Sequence, residues 1–270
     1  MASGPGQLDA IILGAGKGTR MKSDLPKVVF PVGGRAMVCA VVNACREAGV
    51  GRIIVVVGHK QELVRAALDG YGVEFAEQRE QLGTGHAVLS ARGVYAGAGG
   101  DKTPERRDVP AGRAVLVLCG DGPLIRAATI RTLVARHAET GAAATLATAV
   151  LDDPTNYGRI IRDEGGRFMA IVEHKNCTPA QREVREVNPS YYCFESAALF
   201  GALERVERNA LTGEYYLTDV PGLLRSEGGR VEVVASVPPE DVLSINTPEE
   251  LARVDAIYRA RATSAQAGRA

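Results

Sequence analysis

The sequence carries no net charge: 32 Lys and Arg stand against 32 Asp and Glu. That argues against a protein held on nucleic acid or an anionic membrane by bulk charge, and leaves local phosphate sites open. Cysteine is scarce. Cys39, Cys45, Cys119, Cys177 and Cys193 are odd in number, irregular in spacing and without a C-x-x-C pair. This excludes a disulfide framework and fits reduced thiols in the cytoplasm. Long apolar runs are missing as well. Runs such as Ile53 to Val57 are five residues, and the longest, Ala36 to Val42, is seven, where a membrane helix needs roughly twenty. Residues 1–7 have neither a charged region nor an apolar core, so no secretory leader is expected. No internal repeat is visible, and His59, His86, His137 and His174 show no metal spacing. None is expected to be a ligand.

What is present is ordinary globular material. The 270 residues are 46% hydrophobic and 24% charged. A chain of this length buries roughly three quarters of its unfolded surface and needs no disulfide or metal to fold. Short β-branched apolar runs alternate with helical patterns. Leu8 to Leu13, Arg52 to Val57, Gly72 to Ala76 and Ala114 to Leu118 read as strands; Ala36 to Ala48, Gln61 to Leu68, Gly85 to Arg92 and Ala127 to Glu139 read as helices. That order means β-α-β units and a mainly parallel sheet.

Past Leu151 the pattern changes. Gly158 to Arg162 and Arg167 to Glu173 predict a hairpin around Glu164-Gly165-Gly166. Strands are expected at Tyr191 to Phe194, Val231 to Val237 and Val242 to Ile245, helices at Ser196 to Val206 and Leu217 to Arg225. A last helix starts at Thr247-Pro248-Glu249-Glu250, with Thr as cap and acids at the positive end. The stretch Ala96 to Arg113 reads as an exposed loop, and the tail past Arg261 as frayed.

The strongest local feature is Leu13-Gly14-Ala15-Gly16-Lys17-Gly18-Thr19-Arg20, directly after the first strand. Glycines let backbone N–H groups close on an anion, and Lys17, Arg20, Lys22 and Lys27 add cations within one short segment. Together they suit a polyphosphate. Three readings compete. A Walker loop needs its lysine after the last glycine of G-x-x-x-x-G, and Lys17 is misplaced for that. A dinucleotide fingerprint needs an acid at the end of the second strand, where Val57-Gly58-His59 stands. The third is a nucleoside-triphosphate loop of the nucleotidyltransferase kind.

The run LGAGKGTRMKSDLPK, Leu13 to Lys27, resembles the signature of the sugar-nucleotide pyrophosphorylases. It is most similar to the N-terminal domain of the GlmU-type N-acetylglucosamine-1-phosphate uridyltransferases, within the MobA-like sugar nucleotidyltransferases. Further motifs match in the family's order. They are Gln78 with Gln81 to Ala87, Gly120-Asp121 with Pro123-Leu124, Asn156 to Ile160, Ile171 to Lys175, Val187-Asn188 and Gly213 to Asp219. The similarity covers about residues 8 to 250.

The resemblance implies a GT-A-like, three-layer α/β/α sandwich with a twisted, mostly parallel, Rossmann-like sheet. It implies one nucleotidyltransferase domain, with a nucleotide-binding lobe over about 8–150, a sugar-binding part over about 151–250 and a C-terminal helix over about 248–262. The reaction implied is Mg²⁺-dependent attack of a sugar-1-phosphate, N-acetylglucosamine-1-phosphate, on the α-phosphorus of UTP. By resemblance, Arg20 and Lys27 contact triphosphate oxygens as catalytic cations. Leu13, Gly14, Ala15, Gly16, Gln78, Gly83, Thr84, Cys119 and Gly120 bind the nucleotide. Gly158, Glu173 and Asn188 bind the sugar. Asp121 and Asn246 hold the Mg²⁺. The Gln78 amide presents donor and acceptor together and so suits the uracil edge.

Taken singly, these residues have plainer readings. Asp121 and Asn246 suit caps, Glu173 and Lys175 a solvated pair, and Tyr215 and Tyr216 a core. Cys119 stands where the family usually has Tyr, Gly122 where it has Val, Pro189-Ser190 after Asn188 replaces a small Thr/Ser-Gly pair, and Ser244-Ile245 replaces Gly-Val before Asn246. The bifunctional relatives continue into a β-helix acetyltransferase. With the sequence ending at Ala270, no acetyl transfer and no trimer by that route are expected, but a monomer or small homo-oligomer in the cytoplasm. UTP and a sugar-1-phosphate are the expected partners. Other readings are the same chemistry with another sugar or base, a non-catalytic nucleotide-sugar sensor and, more distantly, a dinucleotide oxidoreductase.

Overall fold

A computed structural model describes residues 8–16, 18, 21, 23–97, 108–243 and 245–267. The chain runs β1 (Leu8–Leu13), a hairpin of β2 (Pro31–Val32) and β3 (Arg35–Ala36), α1 (Met37–Glu47), β4 (Arg52–Val57), α2 (Gln61–Ala67), β5 (Glu74–Glu77), α3 (Thr84–Ser90), α4 (Arg92–Ala96), β6 (Ala114–Cys119), α5 (Ala127–Thr140) and β7 (Ala144–Val150). It continues through β8 (Gly158–Arg162), β9 (Phe168–Val172), α6 (Pro179–Arg182), β10 (Glu186–Glu195), α7 (Ser196–Leu203), α8 (Asp219–Ser226), β11 (Val231–Val234) and α9 (Pro248–Ala267).

The main sheet has the order β11-β7-β10-β6-β1-β4-β5, and only β10 on this path runs against its neighbours. β1 is apolar but for Asp9, the composition of a strand covered on both faces. Alternation sends its residues to two cores. Ala10 and Ile12 meet α1, α2 and α5 on one face; Ile11 meets α3, α4, α7 and α8 on the other. Each large aliphatic side chain so buried contributes roughly 1.5–3 kcal/mol. The layered α/β sandwich expected from the alternating pattern is the fold observed.

β10 is the strand that makes room for a second half-site. Its register against β7 slips between Val187 and Tyr191, where Ser190 takes φ 64°. Beyond the slip Tyr191 to Glu195 lie against β6; before it, Val187 and Asn188 pair with β8 instead. One strand therefore joins the parallel sheet to the β8–β9 hairpin.

Several boundaries differ from the sequence reading. β7 was not expected. Its Ala-Thr-Leu-Ala-Thr-Ala-Val has few large aliphatic side chains, yet all but Val150 are buried, with the Thr145 hydroxyl on His137 Nδ1 and that of Thr148 donating to Glu186. The hairpin β2–β3 also gave no alternating signal. The helix expected over Gly85 to Arg92 is two helices meeting at Ala91. The strand at Tyr191 is longer than expected, and that at Val231 stops at Val234. Of the strand expected over Val242 to Ile245, Ser244 lies outside the described residues, and Val242, Leu243 and Ile245 are in no strand. Pro238 and Pro239 open a single 3₁₀ turn over Pro239–Val242 instead. The tail is not frayed at Arg261, because α9 continues to Ala267. Most of the loop expected over Ala96 to Arg113 lies outside the described residues. All five cysteines are unpaired. Among the described residues no helix is long and apolar enough to cross a membrane.

α9 begins with the expected cap: Thr247 Oγ1 accepts from the Glu250 N–H at 3.2 Å, and the Glu250 carboxylate accepts from the Thr247 N–H at 3.0 Å. It packs Val254, Ile257 and Tyr258 over Val32, Met37 and Ile245. A charge cluster fixes the turn before it. The Asp241 carboxylate, 1% exposed, accepts from Arg126 at 2.7 Å and from Arg261 at 2.6 Å. Replacing Asp241 with Ala leaves Arg126 and Arg261 sharing only the exposed Glu240 carboxylate, at 2.6 and 2.7 Å. The loss should be about 2 kcal/mol, less than for a fully buried pair because both arginines reach solvent. It should appear as a lower urea midpoint at unchanged slope; an unmoved midpoint would deny the cluster any structural weight.

Candidate active site

β1, β4, β5 and β6 are parallel, so the loops leaving them open on one side of the sheet. That is where open α/β sheets bind ligands. A cleft of about 580 Å³ lies there. The loop after β1 forms one wall, with Leu13, Ala15 and Gly16; Gln78, Gly83 and Thr84 form another; Cys119 and Asp121, after β6, complete the floor with Lys27. A smaller cavity of about 180 Å³ adjoins it and shares Cys119, Asp121, Asn156 and Glu173. Gly158 and Asn188 line the smaller cavity.

Of the described residues expected to bind nucleotide, sugar and metal, all but three line these cavities. Gly14 and Gly120 lie beneath the cleft and line neither cavity. Their N–H groups donate at 2.8 Å to Val56 and Leu13 carbonyls, continuing the ladders of β1. A Cβ on Gly120 would sit 2.8 Å from that Leu13 oxygen. Asn246 also lines neither cavity; its N–H is given to the Glu250 carboxylate at the start of α9. Arg20, with Lys17 and Lys22, lies outside the described residues.

Lys27 and Asp121 form the central polar contact, Nζ to Oδ2 at 2.6 Å. Both are partly screened from water, at 18% and 34% exposure. Asp121 Oδ1 has no hydrogen-bond partner among the described residues, which leaves an open carboxylate oxygen in the cleft. Burial pushes the neighbouring Cys119 thiol up to about 12, so it stays protonated at neutral pH and acts as a small, inert wall.

Gln78 departs from the expectation made for it. Its amide is 3% exposed, and Nε2 lies 3.1 Å from the Gly83 carbonyl and 3.1 Å from His86 Nδ1. The donor half is therefore committed inside the protein, and Oε1 is the half left for a ligand. Gly83 is held as firmly. It has φ 100°, and a Cβ there would lie 2.6 Å from the Tyr215 carbonyl. Around it the Tyr215 N–H donates to Leu82 O and the Gly85 N–H to Tyr215 O, both at 2.8 Å. Thr84 Oγ1 accepts from the Leu217 N–H at 3.0 Å.

On the side expected to take the sugar, Glu173 accepts from Thr218 Oγ1 at 3.0 Å, and burial raises its pKa. Asn188 is already engaged: Nδ2 donates to the Tyr192 hydroxyl at 2.6 Å and Oδ1 accepts from the Ser190 N–H at 3.2 Å. Arg159, 2% exposed, donates to the carbonyls of Tyr157 and Arg182, and lies 3.4 Å from His174 Nδ1. It ties Asn156–Gly158 to the segment that carries Glu173. Sequence reasoning missed Asn156, His174, Lys175, Glu214 and Tyr216 as cleft residues. Tyr216 is a correction, since it was read as core; its hydroxyl pairs with Thr212 Oγ1 at 2.8 Å at the cleft rim. Asn156, at φ 70° after Pro154-Thr155, lies in the family motif Asn156 to Ile160, from which only Gly158 was taken as a site residue.

The sequence matches the MobA-like NTP transferase domain over residues 10–215. The chain belongs to the MobA-like NTP transferase family. Relatives named bifunctional protein GlmU come from Heliobacterium modesticaldum, 44% identical over 93% of this chain, and Geobacter metallireducens, 45% identical over 95%. This chain covers 52% and 51% of those two proteins. It thus spans about half the length of the curated relatives it matches. A solved structure of a Bacillus anthracis protein, provisionally named a glucose-1-phosphate thymidylyltransferase and crystallised with sucrose, superposes with a TM-score of 0.70. It covers 93% of this chain and 95% of its own at 18% identity, a likeness of fold. The MobA-like match takes in the loop after β1, Lys27, Gln78, Asp121, Glu173 and Asn188; Asn246 falls outside it.

Glu173 makes a titration prediction. Its pKa is raised from an ordinary 4.5 because burial disfavours the charged form. The native state therefore binds the proton more tightly than the unfolded chain, and stability falls as pH rises from about 4.5 through the raised pKa. Glu173→Gln keeps the acceptor for Thr218 and removes the charge. It should melt above the parent at pH 8, with the gap closing toward pH 4.5. A pH-independent gap would show that Glu173 carries no such penalty.

Proposed function

We propose that this protein transfers UMP from UTP to a sugar-1-phosphate, N-acetylglucosamine-1-phosphate, giving UDP-N-acetylglucosamine and pyrophosphate. One juxtaposition supports the reading above others: Lys27 and Asp121, 2.6 Å apart, stand where the glycine loop after β1 meets the end of β6. A cation, an open carboxylate oxygen and converging glycine backbone are the parts a triphosphate site needs.

In this reading a phosphate oxygen of the sugar-1-phosphate forms a bond to the α-phosphorus of UTP. The bond from that phosphorus to the bridging oxygen breaks, and pyrophosphate leaves with the electron pair. The attacking oxygen is already ionised, so no side chain has to remove a proton. The work left to the protein is to bring two anions together in line. Lys27 and Arg20 offset phosphate charge, as a point charge and a planar fork. Gln78 Oε1 meets the imino N–H of uracil, and Glu173 accepts from sugar hydroxyls.

The donor set fits a hard divalent ion. No group of three or more His, Cys, Asp or Glu lies together among the described residues. Asp121 Oδ1 therefore suits an ion such as Mg²⁺, which takes few protein oxygens and completes its shell with phosphate and water. Asn246 is the proposed second ligand. Mg²⁺, when bound, would neutralise charge on the phosphate oxygens.

The test is pyrophosphate release with Mg²⁺, N-acetylglucosamine-1-phosphate and UTP, dTTP, CTP, ATP or GTP in turn. Release with UTP alone is expected; silence with all five would overturn the reading. In the active protein, Asp121→Ala should lower kcat at least about 100-fold, the scale of losing one electrostatic contact to the transition state. Near-normal turnover in that variant would remove Asp121 from the site.

A further inference from the structure

His86 lies one layer behind the cleft, on α3, between Gln78 and an outer groove bounded by β5, α3 and α4. The cleft has no wall made by it. Its Nδ1 is 3.1 Å from Gln78 Nε2, and the same Nε2 is 3.1 Å from the Gly83 carbonyl. These two contacts fix the assignment of every atom involved. A backbone carbonyl only accepts, so the Gln78 atom facing Gly83 is the NH₂ group. That group has two hydrogens and two neighbours. His86 Nδ1 is therefore the acceptor, and the ring carries its proton on Nε2. The amide is consequently held in one sense, with Oε1 as the half left over.

We infer that His86 is a positioning residue for base selection, holding the Gln78 amide so that only its carbonyl oxygen is presented to the base. This rests on the nucleotidyltransferase reading of the cleft. An amide pinned this way pairs with an imino N–H, which uracil has at N3. It repels the bare N3 of cytosine. An amide free to turn offers NH₂ as readily and accepts either ring. Gly83 alone does not prevent the turn, since one hydrogen bond is a weak restraint on an amide with two equivalent faces. The second contact closes that option. Gln78 is 3% exposed, so water cannot stand in for His86 as the second partner of the NH₂ group.

The experiment compares the parent, His86→Leu and His86→Asn. Leu removes the acceptor at similar bulk. Asn places its Oδ1 near the position of Nδ1 and restores it. Equilibrium titration gives Kd for UTP and for CTP, and pyrophosphate release gives kcat and KM for UTP and for N-acetylglucosamine-1-phosphate. In His86→Leu the UTP Kd should rise roughly 3- to 10-fold, the range expected for one neutral hydrogen bond. The preference for UTP over CTP should fall by a similar factor. KM for the sugar phosphate should stay within about twofold, as it engages the other side of the cleft. His86→Asn should recover most of the lost preference.

A His86→Leu protein that keeps the parent preference for UTP overturns the inference. So does a His86→Asn protein as impaired as His86→Leu, or a His86→Leu protein in which both substrates weaken alike, since that is the mark of a packing defect. A parent that neither prefers UTP over CTP nor releases pyrophosphate overturns the nucleotidyltransferase reading and this inference together. A parent that prefers UTP without turnover still decides the inference through the Kd values.

Discussion

The site depends on how closely the carboxyl ends of β1 and β6 approach each other. The Gly120 N–H reaches the Leu13 carbonyl at 2.8 Å, and any Cβ at Gly120 would occupy the same space. That contact extends the parallel ladder, which already pairs Leu13 with Cys119, one residue past its regular end. The chain turns immediately afterwards, so Asp121 emerges at the mouth of the sheet rather than on a helix-covered face. Lys27, arriving from the β1 side, meets it at 2.6 Å. A longer turn on either strand would separate the two charges. The ion pair is a consequence of strand register, set by a glycine that itself lines no cavity.

The same logic explains what the sequence disclosed. Buried parallel strands must be apolar on both faces, so β1, β4 and β6 stand out as continuous runs, and the glycine loop stands out because it follows one of them. β7 shares their environment but is made of Ala and Thr, with its hydroxyls satisfied by His137 and Glu186. Two of its buried positions are polar and held by hydrogen bonds, and three of the apolar ones are small alanines, which leaves a weaker hydrophobic signature to read. Val242 and Leu243 have the opposite problem: their composition is that of a strand, and two prolines with a buried carboxylate between Arg126 and Arg261 set a turn over Pro239–Val242 that ends at Val242. Composition reports burial well and reports the partner that permits burial poorly.

For the site, residue types were legible and their commitments were not. The motif around Gln78 marks an amide near a glycine turn. It does not show that the NH₂ is consumed by Gly83 and His86. Likewise Asn188 reads as a free polar group, while its side chain joins Tyr192 to the slip in β10. Tyr216 was assigned to the core because tyrosine at such a position usually is. It turns outward because Thr212 offers its hydroxyl a partner at the rim. Each of these differences is a matter of hydrogen-bond bookkeeping between segments distant in sequence, which no local pattern records.

The two sides of the cleft are built by different means, and this bears on how each can vary. The base side is fastened by main chain: Leu82, Gly85 and Tyr215 exchange backbone hydrogen bonds at 2.8 Å. Substitution at Leu82 or Tyr215 changes a side chain and leaves such bonds in place; at Gly83 and Gly85 a Cβ would come within 2.6 and 3.0 Å of the Tyr215 carbonyl and displace the frame. The sugar side is fastened by side chains: Arg159 to two carbonyls, Asn188 to Tyr192, Glu173 to Thr218. Each can be lost or enlarged in a single step. Cys119 and Gly122 stand on this second side, lining the smaller cavity beside Asp121. A Cβ on Gly122 would come within 3.2 Å of the Tyr191 hydroxyl. Bulk at either position would therefore reshape the sugar side while the main-chain frame around the base stayed fixed. Under the proposed function, sugar selectivity rests on side chains that single substitutions replace, whereas base selectivity rests on a main-chain frame that substitutions outside Gly83, Gly85 and His86 leave in place.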